Sequence, residues 1–139
     1  MRVYARCMAS ICYCAALRSA ARKVTAVYDD SLASTGVNLA QFSLLRKIER
    51  AAPVSLSELG RIAELDRSTI GRNVKILQRL GLVMVTPGED LREATVRLDE
   101  RGIIALRDGA PLWDEAQRRV EAKLGEGGSD RLRALLGAL

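Results

Sequence analysis

One short stretch of the sequence, ELDRSTIGRNVKILQRLGLV (residues 64–83), combines residue types that bind anions. If the stretch is helical, four apolar residues share one face by helical spacing: Ile70, Val74, Leu77 and Leu80. The other face carries basic, hydroxyl-bearing and small residues: Arg67, Ser68, Thr69, Gly71, Arg72 and Lys75. No Asp or Glu lies between Arg67 and Gly88, so these cations lack the acidic partners that a solvated helix usually has. The pattern predicts a helix with one buried face and one face that binds an anion.

The chemistry that suits such a face is recognition of a DNA major groove, which admits a helix and exposes base edges. In the first turn, the hydroxyls of Ser68 and Thr69 and the free backbone N–H groups can hold a phosphate. One turn later, Arg72 can make a bidentate contact to guanine, worth roughly 1–3 kcal/mol of discrimination, and Lys75 projects on the same side. Gly71 would give the helix clearance for a close approach to nucleic acid. The alternative is a solvated helix whose basic residues only keep the protein soluble.

Composition limits the classes of function. The chain has 139 residues, a net charge of +5 and no histidine. This length fits one domain, and the charge permits an anionic partner. Without histidine there can be no Ser–His or Cys–His nucleophile and no histidine-ligated zinc, and GEGGSD (125–130) matches neither the P-loop nor the dinucleotide fingerprint. The sequence therefore argues against an enzyme and predicts no catalytic residue, metal site or cofactor.

A shorter predicted helix must position the basic helix. The stretch SLSELGRIAEL (55–65) opens with a capping-box pattern, a serine followed three residues later by Glu58. Asp66 can cap the basic helix, and Gly81 can end it in a left-handed conformation. Two short helices joined by about three residues, the second one basic, predict a helix-turn-helix over residues 55–81.

A change of period follows the basic helix. LVMVT and ATVRL are β-prone runs rich in branched side chains, and PGEDLRE separates them. These features predict a hairpin over residues 82–98 with a polar tip. A hairpin directly after a recognition-type helix is a wing.

Apolar seams mark both ends of the chain. In the first predicted helix, small and apolar residues share one heptad position: Cys7, Cys14, Ala21 and Tyr28. After a second helix at about 39–51, Asp99 begins a long helix in which Pro111 should introduce a kink. A final short helix from Ser129 carries a cluster of leucines: Leu132, Leu135, Leu136 and Leu139. Either the two ends pack on each other in a monomer, or both form a dimer interface, which the amount of apolar surface favours.

The predicted fold is therefore mainly α with a small β-hairpin wing, a winged helix-turn-helix flanked by N- and C-terminal dimerisation helices. Its three regions are an N-terminal dimerisation helix (1–36), the DNA-binding region (37–99) and C-terminal dimerisation helices (100–139). The sequence LSELGRIAELDRSTIGRNVKILQRLGLV, the wing GEDLREATVRL and the following LDERG resemble the MarR-type winged-helix transcriptional regulators. The resemblance extends from about Cys14 to Leu136.

This resemblance implies a homodimer whose recognition helices enter successive major grooves of a pseudo-palindromic operator on double-stranded DNA. It also implies that a wing arginine enters the flanking minor groove, and Arg92 occupies that place, with Asp90 to hold or orient it. Leu91 stands where many relatives have a second basic residue, and Gly71 where many have a hydroxyl residue. These departures affect the details of sequence readout.

Two routes could release such a repressor from DNA. The family typically uses a small phenolic or other apolar anion held between the dimer helices and the winged domain. The first helix is also similar to that of the organic-hydroperoxide-sensing branch, where Cys14 takes the place of the reactive cysteine and Tyr28 that of its hydrogen-bonding tyrosine. Two other tyrosines of that network are absent, because Arg18 and Leu39 stand at their positions. A buried cysteine is usually an inert small hydrophobe, so a structural role for Cys14 stays open.

Other classes of function remain as alternatives. A winged-helix module that binds a protein partner has no reason to keep the basic helix and wing together, and a thiol oxidoreductase using Cys12 and Cys14 lacks the usual strand–loop–helix setting. The basic, apolar N-terminus looks like a signal peptide, but its apolar run is too short to span a bilayer and continues into a charged helix. We therefore expect a cytoplasmic protein without membrane contact, whose three cysteines are thiols.

Overall fold

A computed structural model of the chain describes residues 12–89 and 94–139. The described residues form helices and strands in the order α1 (Tyr13–Leu32), α2 (Leu39–Ala51), β1 (Val54–Ser55), α3 (Leu56–Ala63), α4 (Arg67–Arg79), β2 (Val83–Thr86), β3 (Thr95–Leu98), α5 (Glu100–Leu124) and α6 (Gly128–Gly137). A short 3₁₀ turn, Ala33–Thr35, joins α1 to α2. This order confirms the predicted mainly helical fold with a hairpin wing.

The sheet has three antiparallel strands in the order β1–β3–β2. The predicted hairpin is present, with Val83 opposite Leu98 and Thr86 opposite Thr95. The third strand, β1, in which Val54 pairs with Val96, is not predicted from the sequence. Because β1 directly precedes α3, it joins the wing to the start of the helix-turn-helix.

The core lies where α2, α3, α4 and the sheet meet the first half of α5. Three apolar residues of α2 lie in this core, with Phe42 2% exposed and Leu45 and Ile48 fully buried. Other members of the same cluster come from every neighbouring element: Leu32, Leu59, Ile70, Val74, Leu77, Val96 and Leu106. One continuous core therefore holds α4 against the rest of the winged region.

Two glycines allow α5 to pack closely on this region. A Cβ added at Gly109 would lie 2.6 Å from the ring of Phe42, and one at Gly102 would overlap the carbonyl oxygen of Leu82. No side chain larger than hydrogen fits at either position without a shift of its neighbours. The helix runs from Glu100 to Leu124 as one element, with Pro111 inside it.

The helix ends differ from the sequence-based expectation in two places. The complete capping box lies at Asn38 and Gln41, at the start of α2. At the expected position, the Ser55 hydroxyl accepts the Glu58 backbone N–H at 3.1 Å, whereas the Glu58 carboxylate pairs with Arg61. Leu80, predicted to face inward, is the C-cap of α4 and is 43% exposed. It lies about 60° from Leu77 around the helix axis, at the edge of the buried face.

The terminal helices expose much of their apolar surface. On α6 and the residues after it, the exposed fractions are 38% for Leu132, 67% for Leu135, 47% for Leu136 and 91% for Leu139. On α1, Leu17 and Val24 are also exposed. Among the described residues, no helix is both long enough and apolar enough to cross a bilayer.

Candidate nucleic-acid interface

Helix α4 has the two faces that the sequence predicts. Ile70, Val74 and Leu77 are at most 3% exposed and fasten the helix to the core. On the opposite side, Arg72 and Lys75 are exposed. The apolar face of α4 is therefore packed on the core, and its basic face is exposed to solvent.

The N-terminus of α4 is organised by Asp66, which caps the helix as predicted. Its carboxylate accepts the backbone N–H of Thr69 at 2.8 Å and the hydroxyl of Ser68 at 2.8 Å. The hydrogen bond from the Thr69 backbone, followed by those from the side chains of Ser68 and Thr69, lowers the pKa of Asp66 to about 2. A negative charge therefore stands at the end of the helix near neutral pH.

This arrangement changes the role expected of Ser68 and Thr69. The Ser68 hydroxyl and the Thr69 backbone N–H, which the sequence predicts as phosphate donors, donate to the Asp66 carboxylate of the same chain. The Thr69 hydroxyl oxygen in turn accepts a hydrogen bond from the Arg72 guanidinium at 3.4 Å. The first turn thus supports Arg72, and a phosphate at Ser68 or Thr69 would have to compete with the Asp66 carboxylate.

The predicted DNA-binding residues do not all share one face. At about 100° per residue, Ser68 and Lys75 lie within about 60° of Arg72 around the helix axis. Arg67, the first residue of α4 and exposed, lies about 140° away from Arg72. Arg67 therefore belongs to the flank of the helix and not to the face that Arg72 shares with Lys75.

Two residues of this face were missed from the sequence. Arg79 follows Arg72 by seven residues and is exposed in line with it. Ile76 lies about 40° from Arg72 by the same spacing and is 43% exposed. The signal that could have found both was the i, i+4, i+7 spacing from Arg72.

The predicted wing contacts, Asp90 and Arg92, lie outside the described residues, as does Cys7. The strands on either side of the wing tip are described, and β2 and β3 stay paired as far as Thr86 and Thr95. On this hairpin Arg97 is exposed, and its guanidinium lies 3.8 Å from the sulfur of Met84.

The two residues proposed for thiol sensing are far apart within one chain. Cys14 is exposed near the start of α1, whereas Tyr28 is 8% exposed and donates its hydroxyl hydrogen bond to Gln117. Fourteen helical residues separate them, about 21 Å along the axis. Burial, and then the charge of Glu121, raise the pKa of Tyr28. Cys12 is also exposed and precedes the helix in an extended conformation.

A cleft of about 570 Å³ lies between α2 and α5. Its apolar wall includes Phe42, Ile103 and Leu106, and its charged residues are Arg46, Glu49, Arg50, Arg107 and Asp114. The Arg46 guanidinium lies over the Trp113 ring, 4.9 Å from its centroid. The cleft therefore combines apolar surface with an excess of one positive charge.

Comparison with known proteins agrees with this geometry. The model of the MarR family matches residues 35–93. The M. tuberculosis transcriptional regulator MosR, solved in complex with DNA, is 34% identical, with a TM-score of 0.80 over 92% of each chain. A probable transcriptional regulator from Pseudomonas aeruginosa is 27% identical, with a TM-score of 0.77 over 88% of this chain and 92% of that one.

More distant structures share the fold. A mutant of E. coli MarR complexed with operator DNA is 22% identical, with a TM-score of 0.78 over 88% of this chain and 89% of that one. A search of curated protein sequences finds no match. The fold and the exposed basic helix define a winged-helix protein of the kind found in transcriptional regulators. The chain belongs to the MarR family.

Proposed function

We propose that the protein is a homodimeric transcriptional repressor that binds a pseudo-palindromic operator on double-stranded DNA. The observation that carries the proposal is α4, whose apolar face is buried in the core while Arg72 and Lys75 are exposed on the other side. A helix with this arrangement suits a major groove. The relatives solved in complex with DNA support the same partner.

Each basic residue has an expected role. Arg72, supported by Thr69, reads a base edge, and Lys75 contacts a phosphate one turn away. Arg67 contacts the backbone from the flank of α4. The wing residues Asp90 and Arg92 keep the roles that the family resemblance implies, with Arg92 in the minor groove.

The terminal helices are proposed to form the dimer. Four leucines at the C-terminal end are between 38% and 91% exposed, and a second copy of the chain would cover them. Two-fold symmetry would then place the two α4 helices in successive major grooves, about 34–36 Å apart. This spacing is the reason to expect a pseudo-palindromic site.

Two signals are proposed to release the DNA. The first is a small apolar or phenolic anion, which suits the cleft between α2 and α5 because an apolar wall meets Arg46, Arg50 and Arg107 there.

Thiol oxidation is the second proposed signal. The exposure of Cys14 supports its access to an oxidant. Tyr28, bonded to Gln117 in its own chain, would have to approach Cys14 from the partner subunit of the dimer.

The test is fluorescence anisotropy with the DNA upstream of the protein's own gene and with a scrambled duplex of equal length, over a salt series. Preference for the upstream DNA, with log affinity falling as log salt rises, supports the regulator. Arg72→Ala should weaken this preference, whereas Arg118→Ala, an exposed arginine on α5, should leave it unchanged. Equal and weak binding to both duplexes would refute the proposal.

A second experiment tests thiol oxidation as the signal that releases the DNA. Reduced protein is treated with an organic hydroperoxide, and wild type is compared with Cys14→Ser and with Cys12→Ser as the matched control. Loss of DNA binding in wild type and Cys12→Ser, but not in Cys14→Ser, supports thiol sensing by Cys14. Binding that survives peroxide in all three proteins refutes this route and leaves the small ligand.

A further inference from the structure

An isoleucine lies on the basic face of α4. Ile76 is 43% exposed, and the residues three and four positions away from it on the helix surface are Arg72, Asn73, Arg79 and Leu80. The buried side of the helix is already complete without it, since Ile70, Val74 and Leu77 are at most 3% exposed. The core therefore does not explain why an apolar side chain stands at this position.

The position of Ile76 relative to Arg72 follows from helix geometry. Four residues correspond to a rotation of about 40° and a rise of about 6 Å, so the two side chains face the same side one turn apart. On its other flank, Ile76 borders a small groove, about 170 Å³, between α4 and the start of α2. Ala40, Gln41 and Leu44 line this groove from α2. Ile76 thus presents an apolar surface directly beside the residue proposed to read a base.

The major groove offers one apolar group on its base edges, the C5-methyl group of thymine. We propose that Ile76 is a specificity-determining residue that packs against the methyl group of a thymine in the operator. The thymine lies within about two base pairs of the base that Arg72 reads, because bases rise 3.4 Å along each strand. This inference rests on the proposed function, since it requires α4 to enter the major groove.

Leu80 provides an internal comparison. It is also 43% exposed and belongs to the end of the same helix. Leu80, however, lines a cleft with Val37, Ile104 and Arg101 at the C-terminal end of α4. Leu80 lies about 80° from Arg72 around the helix axis, twice the offset of Ile76. Exposure alone therefore does not distinguish Ile76 from Leu80. Ile76 is the candidate for a base contact because it lies closer to Arg72 around the helix.

The experiment first enriches operator sequences from a random duplex library with the wild-type protein. Each thymidine of the enriched site is then replaced singly by deoxyuridine, which removes only the methyl group. Affinities are measured by anisotropy for wild type, Ile76→Val, Ile76→Ala and Leu80→Ala at one salt concentration. Circular dichroism checks that each variant is folded.

We expect one thymidine position at which loss of the methyl group weakens wild-type binding about three- to fourfold, the effect of one buried methyl-sized group. Ile76→Val and Leu80→Ala should keep this sensitivity, whereas Ile76→Ala should lose it. The salt dependence of Ile76→Ala should equal that of wild type, because no charge is removed.

Two outcomes would overturn the inference, and they can be told apart. If the wild-type protein enriches a site but no thymidine shows a sensitivity that depends on Ile76, the inference is wrong and the proposed function stands. If the library yields no enriched sequence at all, the proposed function fails and the inference fails with it.

Discussion

The guanidinium of Arg46 in α2 lies 4.9 Å from the centroid of the Trp113 ring in α5. The same ring lies 5.8 Å from that of Tyr28 in α1, tilted by 42°. Trp113 therefore contacts the first helix and the winged region at once. It is also the single tryptophan of the chain, so its fluorescence reports on this junction alone.

Replacement of Arg46 by alanine should weaken the junction. A cation over an aromatic ring contributes about 0.5–1 kcal/mol at an exposed site, so we expect the free energy of unfolding to fall by about that amount. Urea unfolding followed by circular dichroism measures it, and the tryptophan emission of the folded protein should shift. Arg50→Ala is the control, since Arg50 lines the same cleft. An equal shift of emission in both variants would contradict the prediction.

Stability should depend on the ionisation of Asp66. Because hydrogen bonds from Thr69 and Ser68 lower its pKa from 3.8 to about 2, the folded state gains stability from the carboxylate above pH 3.8. This gain is lost as the pH falls through about 2. Asp66→Asn keeps a capping side chain that does not titrate.

The Tm of wild type should therefore exceed that of Asp66→Asn at pH 5 and above, and the difference should shrink as the pH approaches 2. Thermal melts followed by circular dichroism between pH 2 and pH 6 measure this difference. Ser68→Ala removes one of the three hydrogen bonds that lower the pKa of Asp66, so it should reduce the pH dependence without abolishing it. A difference in Tm that stays constant over the whole range would count against this role for Asp66.

Replacement of Gly71 by alanine should have opposite effects on stability and on DNA binding. A Cβ at this position meets nothing within 4 Å, and glycine inside a helix is less stable than alanine by roughly 0.5–1 kcal/mol. Gly71→Ala should therefore raise the free energy of unfolding and yet weaken DNA binding, if the helix approaches DNA closely there. Denaturant titration and anisotropy measure the two effects.

Gly102→Ala is the contrasting variant, because its Cβ would overlap the carbonyl oxygen of Leu82. We expect it to destabilise the fold by roughly 1–3 kcal/mol, the usual cost of overpacking. If Gly71→Ala stabilises the protein and leaves DNA affinity unchanged, then Gly71 does not provide clearance for DNA.

The C-terminal leucines should determine the oligomeric state. Leu135 is 67% exposed in the chain, and a charge placed inside a dimer interface would be buried without a partner. Leu135→Glu should therefore convert the dimer to a monomer and weaken operator binding. Sedimentation velocity without DNA measures the first effect. Leu65→Glu, at an exposed leucine between α3 and α4, should remain dimeric, and a wild-type protein that sediments as a monomer would overturn the dimer.

The order of the helices and of the two hairpin strands could be predicted from the sequence because each of them has a local signal. Asp66, Gly81 and the alternating runs of the hairpin mark boundaries that the structure confirms. Strand β1 has only two residues, too few to show a period, and its pairing with β3 is a long-range contact.

The site was harder to predict than the fold. The sequence predicts Asp66 as a cap and Ser68 as a phosphate ligand, but these roles compete, because the Ser68 hydroxyl donates to the Asp66 carboxylate. Ile76 does not stand out in the sequence, because charge is what marks the exposed face of α4 and Ile76 carries none. The close contact of Gly109 with Phe42 depends on how two helices meet, which no local pattern reveals.

The long helix α5 begins directly after the last strand of the wing and ends just before the leucine-bearing α6. Its 25 residues span about 37 Å, and the close packing of Gly102 on Leu82 and of Gly109 on Phe42 joins its first half to the winged region that carries α4. In a dimer, the length of α5 would set the distance between the two α4 helices. The spacing of the operator half-sites would then depend on the number of helical turns in α5. Inserting or deleting one turn beyond Ala116 should change the preferred spacing between half-sites.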